Sequence, residues 1–215
     1  MERRISVAIP YYNNAKFMDK TLELLVEDER INEIIITDDM SKDISQLRDL
    51  ISNLNTNKIK LYENKKNLGC YHNKITAVSK CSNDWCILLD SDNYIEQPYL
   101  DRIYNIENWD KNTIYAPDRP ITFPGTPSTV MDYRKYSNKY ISKELYLKDF
   151  NGNIFQCLIN TCNYFLPCKE YVKCMKEGFE KYNRDIIDCL DSAILFTDWL
   201  TNNNKIKVVE NLSYY

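Results

Sequence analysis

Two aspartates separated by one serine follow an apolar stretch in WCILLDSDNYI, residues 85–95. A carboxylate beside a hydrophobic core loses hydration, which is costly unless another group compensates for it. Side chains alternate in an extended segment, so Asp90 and Asp92 are predicted to face one space and Ser91 the other side. Mg²⁺ or Mn²⁺ would relieve the repulsion between the carboxylates and leave open positions for phosphate oxygens. The pattern predicts a divalent metal site at Asp90 and Asp92, with a solvated turn as the alternative.

Further polar and aromatic side chains stand where two earlier strands are predicted to end. Asp39 lies in DDMSKD (38–43), and its carboxylate could accept a hydrogen bond from a nucleobase N–H or a ribose hydroxyl. Tyr11 and Tyr12 lie in PYYNN (10–14), where either ring could stack on a base or belong to the core. These residues predict a nucleotide site beside the aspartate pair.

A third segment, NLGCYHN (67–73), adds groups that suit phosphate. Gly69 would let the backbone approach a ligand closely, because glycine has no Cβ. His72 and Lys74 could donate hydrogen bonds to phosphate oxygens. A single histidine is also a common structural residue, so His72 keeps both interpretations.

The elements that must position these residues alternate between strand and helix. Short apolar or alternating runs predict strands at 5–9, 33–37, 59–63 and 85–89. Helical spacing of apolar residues predicts helices at 15–30 and 44–54 and a short one around 75–78. This order predicts an α/β fold with a mostly parallel sheet flanked by helices on both faces. Ligands of such sheets bind beyond the carboxyl ends of the strands, where the polar residues above stand.

The second half of the chain has a different pattern. Prolines, glycines and tyrosines crowd residues 117–153, which predicts a long irregular segment. We expect residues 117–160 to form or border an acceptor site and to be mobile without ligand. Helices at 169–182 and 185–201 and a last strand at 205–209 follow. We interpret residues 1–215 as one domain, with a nucleotide-binding half at 1–100 and an acceptor-side half at 101–215.

Composition excludes several classes of function. The net charge of the 215 residues is −3, and no long run of like charge indicates a nucleic-acid partner. No apolar run has the roughly 18 residues of a membrane span, and no signal peptide is evident, so a cytoplasmic protein is expected. The eight cysteines form no CxxC pair and there is one histidine. Buried, reduced thiols are therefore favoured over disulfides or a cysteine metal site, which stay open.

The same motifs resemble a known family. The segments SVAIPYYNNAKFMDKTLELL, EIIITDDMSKD, NLGCYHN and CILLDSDNYI, in this order, resemble the nucleotide-binding half of GT-A glycosyltransferases of the family-2-like group. The resemblance is strong over residues 5–100, weak over 117–160, and resumes around 160–172 and 189–215. A fainter resemblance is to the glycosyltransferase domains encoded by chlorella viruses, which are short and rich in Tyr and Asn.

The resemblance implies a role for each matching residue. Pro10, Tyr11 and Tyr12, together with Asp39, correspond to the family's nucleobase and ribose contacts. Asp90, with Ser91 beside it, is the ribose-side member of the family's DxD motif. Asp92 is the metal ligand that bridges to the diphosphate. Gly69 and His72 are assigned to the same donor site.

The resemblance also implies a catalytic base at Asp191, where the family carries a late acidic pair. Here the pair reads Leu190–Asp191 instead of two acidic residues, which puts the assignment and the stereochemical course in doubt. Asp185, Asp188, Asp191 and Asp198 also lie at nearly helical spacing, as on a solvated helix face. Members of the family often carry a histidine after the last strand, but this chain has its one histidine at position 72. Either water replaces that ligand, or further domains follow at the C-terminus.

The expected function is therefore transfer of a sugar, a hexose or deoxyhexose, from a UDP-sugar to a carbohydrate or glycoprotein hydroxyl, with Mn²⁺ or Mg²⁺ as cofactor. A noncatalytic nucleotide-sugar-binding module and a sugar-phosphate nucleotidyltransferase remain alternatives. The nucleotidyltransferase usually carries a Gly-rich basic loop after the first strand, where YYNN stands here. Turnover with an acceptor would separate an enzyme from a binding module.

Overall fold

The structure is a computed structural model that describes residues 3–121, 132–149, 163–182 and 198–215. Within these residues, eight strands form one sheet. The strands are β1 (Ile5–Tyr11), β2 (Ile31–Asp38), β3 (Ile59–Glu63), β4 (Trp85–Leu88), β5 (Thr113–Pro120), β6 (Tyr140–Ile141), β7 (Tyr164–Pro167) and β8 (Lys205–Tyr214).

The order of the strands across the sheet is β3-β2-β1-β4-β7-β5-β8-β6. Strands β1 to β4 pair in parallel, as the sequence predicts. Strand β7 pairs antiparallel with both β4 and β5, so β5 runs in the direction of β4, and β8 is parallel to β5. Only β6 and β7 among the described strands run the other way. Six carboxyl ends therefore lie at one edge of a mostly parallel sheet.

Helices cover both faces of the sheet, which confirms the predicted fold class. They are α1 (Ala15–Glu27), α2 (Ile44–Asn53), α3 (Gly69–Ser79), α4 (Gln97–Tyr104), α5 (Lys143–Lys148) and α6 (Cys168–Tyr182), with a 3₁₀ turn at Arg134–Tyr136. The α1 face is covered by α1, α2 and α4, and the α3 face by α3, α5 and α6.

The core is divided between these two faces by the alternation of side chains along each strand. In β1, Val7 and Ile9 pack on the α1 face and Ala8 packs on the α3 face. In β4, Ile87 belongs to the α1 face and Cys86 to the α3 face. Strands buried on both sides read as continuous apolar runs, as β1, β2 and β4 do, whereas the partly exposed β3 is recognised by its alternating residues.

The second half is more regular than its composition predicts. Part of the predicted irregular segment 117–153 is the end of strand β5, which reaches Pro120. Strand β6 and helix α5 also fall within that segment. Strand β7 pairs with β5 only at Tyr115, so proline beyond that point removes no N–H that β7 requires. Proline content alone therefore gave the wrong prediction for this strand.

Other boundaries differ less from the predictions. Helix α6 begins at Cys168, one residue before the predicted start, and β8 extends to Tyr214 where 209 was expected. Of the predicted helix 185–201, only residues 198–201 are described, and they are helical. No described helix is both long and apolar enough to cross a membrane.

Candidate functional site

Four loops follow β1, β2, β3 and β4 at the same edge of the sheet. We name them the β1 loop (12–14), the β2 loop (39–43), the β3 loop (64–68) and the β4 loop (89–96). Side chains of the β1 loop join its two neighbours. Asn13 accepts from the Lys42 N–H at 2.8 Å, and the Asn14 amide donates to the Ser91 hydroxyl at 2.8 Å. The segments singled out in the sequence therefore meet in one place.

Asp39 is buried at the base of this place, and its carboxylate holds the start of α3. Its Oδ1 accepts from the Leu68 N–H at 2.7 Å and from the Asn64 amide at 3.0 Å. Its Oδ2 accepts from the Gly69 N–H at 2.9 Å. N–H groups at a helix start lack partners within the helix, so a carboxylate from another loop stabilises them. A carboxylate offers about four acceptor positions, so Oδ2 keeps one for a ligand.

Gly69 has a structural reason to be glycine at this position. Its φ is 76°, in the left-handed region where a Cβ is disfavoured. This conformation turns the β3 loop into α3 and aims the Gly69 N–H at Asp39. The prediction that backbone approaches a ligand at Gly69 remains a prediction, and the described contact is to the chain itself.

The two predicted stacking tyrosines have opposite environments. Tyr11 is 0% exposed in the core of the α1 face, whereas Tyr12 is 50% exposed. The Tyr11 hydroxyl donates to Asp43 at 2.7 Å, and burial together with this bond raises the pKa of Tyr11. Of the two interpretations that the sequence allowed for each ring, Tyr11 is a core residue. The ring of Tyr12 is exposed, so a base could reach it. Pro10 lies in β1, half-buried, paired in register with Thr37.

Asp43 sits at the N-cap of α2, but its side chain binds the start of a different helix. Its Oδ2 accepts from the Ala15 N–H, the first residue of α1, at 2.9 Å. Its carboxylate makes no capping bond to α2. The β2 loop therefore fixes the start of α1 and the inward position of Tyr11.

The β4 loop turns sharply where an extended segment was expected. The Asn93 N–H donates to the Asp90 carbonyl at 3.1 Å, which closes a four-residue turn. Within it Ser91 is buried and Asp92 is exposed, while Asp90 is half-buried. The Thr21 hydroxyl of α1 donates to the Asn93 carbonyl at 3.1 Å and holds the far side of the turn. The turn, and not the alternation of side chains along a strand, is therefore what directs Asp92 outward.

Asn163 is a site residue that the sequence analysis missed. It precedes β7 with a φ of 66°, and it is fully buried. Its Oδ1 accepts from the Asp90 N–H at 3.3 Å, and its carbonyl accepts from the Tyr99 hydroxyl at 2.6 Å. Its Nδ2 has no hydrogen-bond partner within the described residues. A buried amide held beside Asp90 is a polar group available to the site, and only the β4–β7 pairing brings it there.

Asp118 is a second carboxylate that the sequence did not single out. It lies near the carboxyl end of β5, and that end shares the edge with the loops above. Its Oδ2 accepts from the Asn211 N–H at 2.8 Å, whereas Oδ1 has no partner in the described part of the chain. Burial raises the pKa of Asp118. Its proline-rich surroundings hid it in the sequence.

His72 lies in the first turn of α3 and faces α6. Its ring packs edge-on against Phe179 of α6, with centroids 4.7 Å apart. Both residues line a cleft of about 360 Å³ between α3 and α6, which Leu68 of the β3 loop also borders. The prediction that His72 binds phosphate remains open. Asp191, with Leu190, Asp185 and Asp188, lies outside the described residues.

The residues of the turn fit a hard divalent cation. Asp90 and Asp92 offer only oxygen atoms, which Mg²⁺ and Mn²⁺ prefer. Asp92 is exposed, and among the described residues it accepts one long hydrogen bond, from the neighbouring Asn93 amide at 3.5 Å. Two carboxylates leave most of an octahedral shell to water and to ligand oxygens.

The fold has solved counterparts. Residues across 99% of this chain superimpose on TarS 1–349 of S. aureus in complex with UDP-GlcNAc, with a TM-score of 0.63 and 17% identity, and cover 57% of that chain. The mannosyltransferase PcManGT from Pyrobaculum calidifontis, in complex with GDP-Man and Mn²⁺, gives a TM-score of 0.60 and 14% identity over 98% of this chain and 56% of its own. At these identities the comparison establishes the shared fold.

Sequence comparison gives the family. Over 106 residues, 48% of this chain is 28% identical to the glycosyltransferase GlyA of Streptococcus pneumoniae serotype 4 (strain ATCC BAA-334 / TIGR4) and covers 15% of that protein. The chain thus spans well under two thirds of the length of the relatives described here. None of these relatives supports the resemblance to chlorella-virus domains. The profile of glycosyl transferase family 2 matches residues 6–166. The chain belongs to glycosyl transferase family 2.

Proposed function

We propose that this protein is a metal-dependent glycosyltransferase that moves a hexose or deoxyhexose from a UDP-sugar to a carbohydrate or glycoprotein hydroxyl. One observation carries the proposal. The turn at Asp90–Asn93 presents Asp92 outward beside the β1 loop, within the loop cluster that also holds Asp39. A nucleoside diphosphate has a base, a ribose and two phosphates, and the loops offer groups of matching chemistry.

The nucleobase is assigned to Tyr12 and Asp39. The exposed ring of Tyr12 suits stacking, which tolerates any base. Selection between bases then rests on Asp39, whose Oδ2 has one acceptor position left after binding the Gly69 N–H. Uracil has a single ring N–H, whereas guanine presents an amino group in addition. The unfilled acceptor position therefore supports UDP over GDP, although PcManGT was solved with GDP-Man.

The diphosphate is assigned to Asp90 and Asp92 through a divalent cation. When bound, the cation would neutralise the charge that develops on the departing diphosphate. The chain's own part is to hold both carboxylates in a fixed turn, anchored by Asn163 on one side and Thr21 on the other. Such preorganisation of charged groups is usually the largest contribution to catalysis.

The acceptor hydroxyl would form the new bond to the anomeric carbon as the bond to the diphosphate oxygen breaks. We assign Asp191 as the base that accepts the proton of the acceptor hydroxyl. If so, Asp191→Asn should leave UDP binding almost unchanged and lower transfer by roughly 10²–10⁴-fold. Transfer at the wild-type rate would remove the assignment and make Asp188 the next residue to test. Retention of the donor's anomeric configuration in the product, read by NMR, would also remove the need for a single base.

The function is tested by binding and turnover together. Calorimetry of UDP and GDP with Mn²⁺ should show UDP binding that excess chelator weakens. Undiminished UDP affinity in chelator would contradict the metal bridge. A panel of nucleotide sugars, monitored for slow donor hydrolysis without acceptor, then identifies the sugar. Binding without hydrolysis or transfer would indicate a noncatalytic module, and consumption of a nucleoside triphosphate with a sugar phosphate would indicate a nucleotidyltransferase.

A further inference from the structure

Three cysteines from separate elements meet near the opposite edge of the sheet. Cys81 follows α3, Cys86 is the second residue of β4, and Cys168 is the first residue of α6. Their sulfur atoms all lie within 4.8 Å of one another. Cys86 and Cys168 are buried and Cys81 is half-buried. The donor loops lie at the other end of β4, so this cluster is separate from the site above.

The backbone fixes each of the three sulfurs. The Cys168 N–H donates to the Asp84 carbonyl at 2.9 Å, which holds the start of α6 against the start of β4. The Cys81 N–H donates to the Val78 carbonyl at 3.1 Å in the last turn of α3. Cys86 is held in the sheet, paired with Leu166 of β7. The convergence results from three packed elements, so it does not depend on one mobile loop.

We propose that Cys81, Cys86 and Cys168 bind one soft divalent cation, with zinc as the preferred ion. Two thiolates on a tetrahedral zinc are about 3.8 Å apart, given Zn–S bonds of about 2.3 Å. The sulfurs therefore need to move together by about 1 Å at most, which side-chain rotation supplies. Binding releases the thiol protons to solvent, and a water completes the shell on the half-buried side of Cys81.

The net charge of the three-thiolate site favours Zn²⁺ over Cu⁺. Three thiolates leave a net charge of −1 with Zn²⁺ and −2 with Cu⁺, and buried charge is costly. The Glu33 carboxylate, which binds Ser82 next to Cys81, is already engaged by the Lys60 ammonium at 2.6 Å and by Ser6. Glu33 thus adds little uncompensated negative charge.

The ion would join the two halves of the chain. Cys81 and Cys86 belong to the nucleotide-binding half and Cys168 to the acceptor-side half. The site would therefore stabilise the α3–α6 face without entering the transfer reaction. Only the folded chain brings the three sulfurs together, so the binding free energy would add to the stability of the fold.

The test uses the full chain carrying Asp92→Ala, which removes the oxygen-ligand site, under anaerobic reducing conditions. The protein is stripped of metal and titrated with Co²⁺, because thiolate-to-cobalt charge transfer absorbs in the near ultraviolet and oxygen ligands give none. We expect this absorption to saturate at one equivalent and zinc to displace the cobalt. Cys81→Ser should weaken Co²⁺ binding by at least about 100-fold, since loss of an outer-shell partner alone costs up to about that much.

Cys174→Ala is the matched control. Cys174 lies on the same helix as Cys168 and in the same buried cluster on the α3 face of the sheet, and each is 5% exposed. The control should keep the cobalt absorption and its affinity. Absence of the charge-transfer band in the parent protein would overturn the proposal, as would a band that Cys81→Ser leaves unchanged or that Cys174→Ala removes equally. An intact mass lower by two hydrogens, traced to a disulfide between two of the three cysteines, would overturn it as well.

Discussion

Among single residues, Asp92 and Asp84 bracket strand β4, and both are exposed. Asp92 is turned outward in the donor loop, whereas Asp84 contacts Lys111 and Lys169 at 3.9 and 3.3 Å near the opposite edge. We expect Asp92→Ala to lower turnover by about 100-fold or more, because a preorganised charge-stabilising group is lost. Initial-rate kinetics at saturating UDP-sugar and Mn²⁺ measure the effect.

Asp84→Ala is the control for that change. It removes an exposed carboxylate whose ion pairs contribute at most about 1 kcal/mol to stability. Its turnover should match that of the parent within about twofold. Equal losses in the two variants would show that Asp92 acts through general stability and would contradict its role as a metal ligand.

The two adjacent tyrosines make a second residue-level test. Tyr12→Ala should weaken UDP binding by roughly tenfold or more, because base stacking contributes about 1–3 kcal/mol, and should leave stability nearly unchanged. Tyr11→Phe removes the hydrogen bond to Asp43 and should lower the free energy of unfolding by about 1–3 kcal/mol. Calorimetry and urea denaturation of both variants check the pair. A loss of UDP affinity confined to Tyr11→Phe would reverse the assignment of the base contact.

Among the elements, strand β5 is the one for which the structure most changes the expected dynamics. The sequence predicts mobility from residue 117 onward, yet Thr113–Pro120 is a strand between β7 and β8. We expect the amide of Ile121 to exchange as slowly as those of β4, because it donates to the Tyr214 carbonyl at 2.7 Å and so continues the pairing of β5 with β8. Hydrogen exchange followed by mass spectrometry on the protein without ligand measures this. Exchange of β5 as fast as that of exposed helix α5 would show that the strand is not stably paired.

At the scale of the whole molecule, the two halves share one sheet and also pack against each other through helices α3 and α6. Four residue pairs join β4 to β7, and the Tyr71 hydroxyl of α3 donates to the Met175 carbonyl of α6 at 2.6 Å. We therefore expect a single cooperative unfolding transition and no independent folding of residues 1–100.

Tryptophan fluorescence can follow each face separately in urea. Trp85 packs on the α1 face with Trp109 against it, and Trp199 is buried on the α3 face. The variant Trp199→Phe reports the α1 face, and Trp85→Phe/Trp109→Phe reports the α3 face. In each variant, the fluorescence transition should have the same urea midpoint as the transition followed by circular dichroism. Two separate midpoints in one variant would mean that the chain does not unfold in a single cooperative transition.

The sequence by itself determined the first half of the fold and the position of the donor loops. Three of these strands are buried on both faces and need continuous apolar residues, so ISVAI, EIIIT and WCILL can be recognised as strands without a structure. The polar segments after them are local features, and parallel pairing brings them to one edge. That reasoning placed Asp39 and Asp92 in one loop cluster.

Tertiary structure decided what depends on partners distant in the chain. Tyr11 and Tyr12 have the same residue type, and only packing made one a core residue and the other exposed. Asn163 approaches Asp90 because β7 inserts antiparallel beside β4, across a separation of 73 residues. Strand β5 was hidden by its prolines, which are tolerated because β7 leaves most of one side of it unpaired. The three cysteine sulfurs meet for the same reason: long-range strand pairing has no signature in local residue spacing.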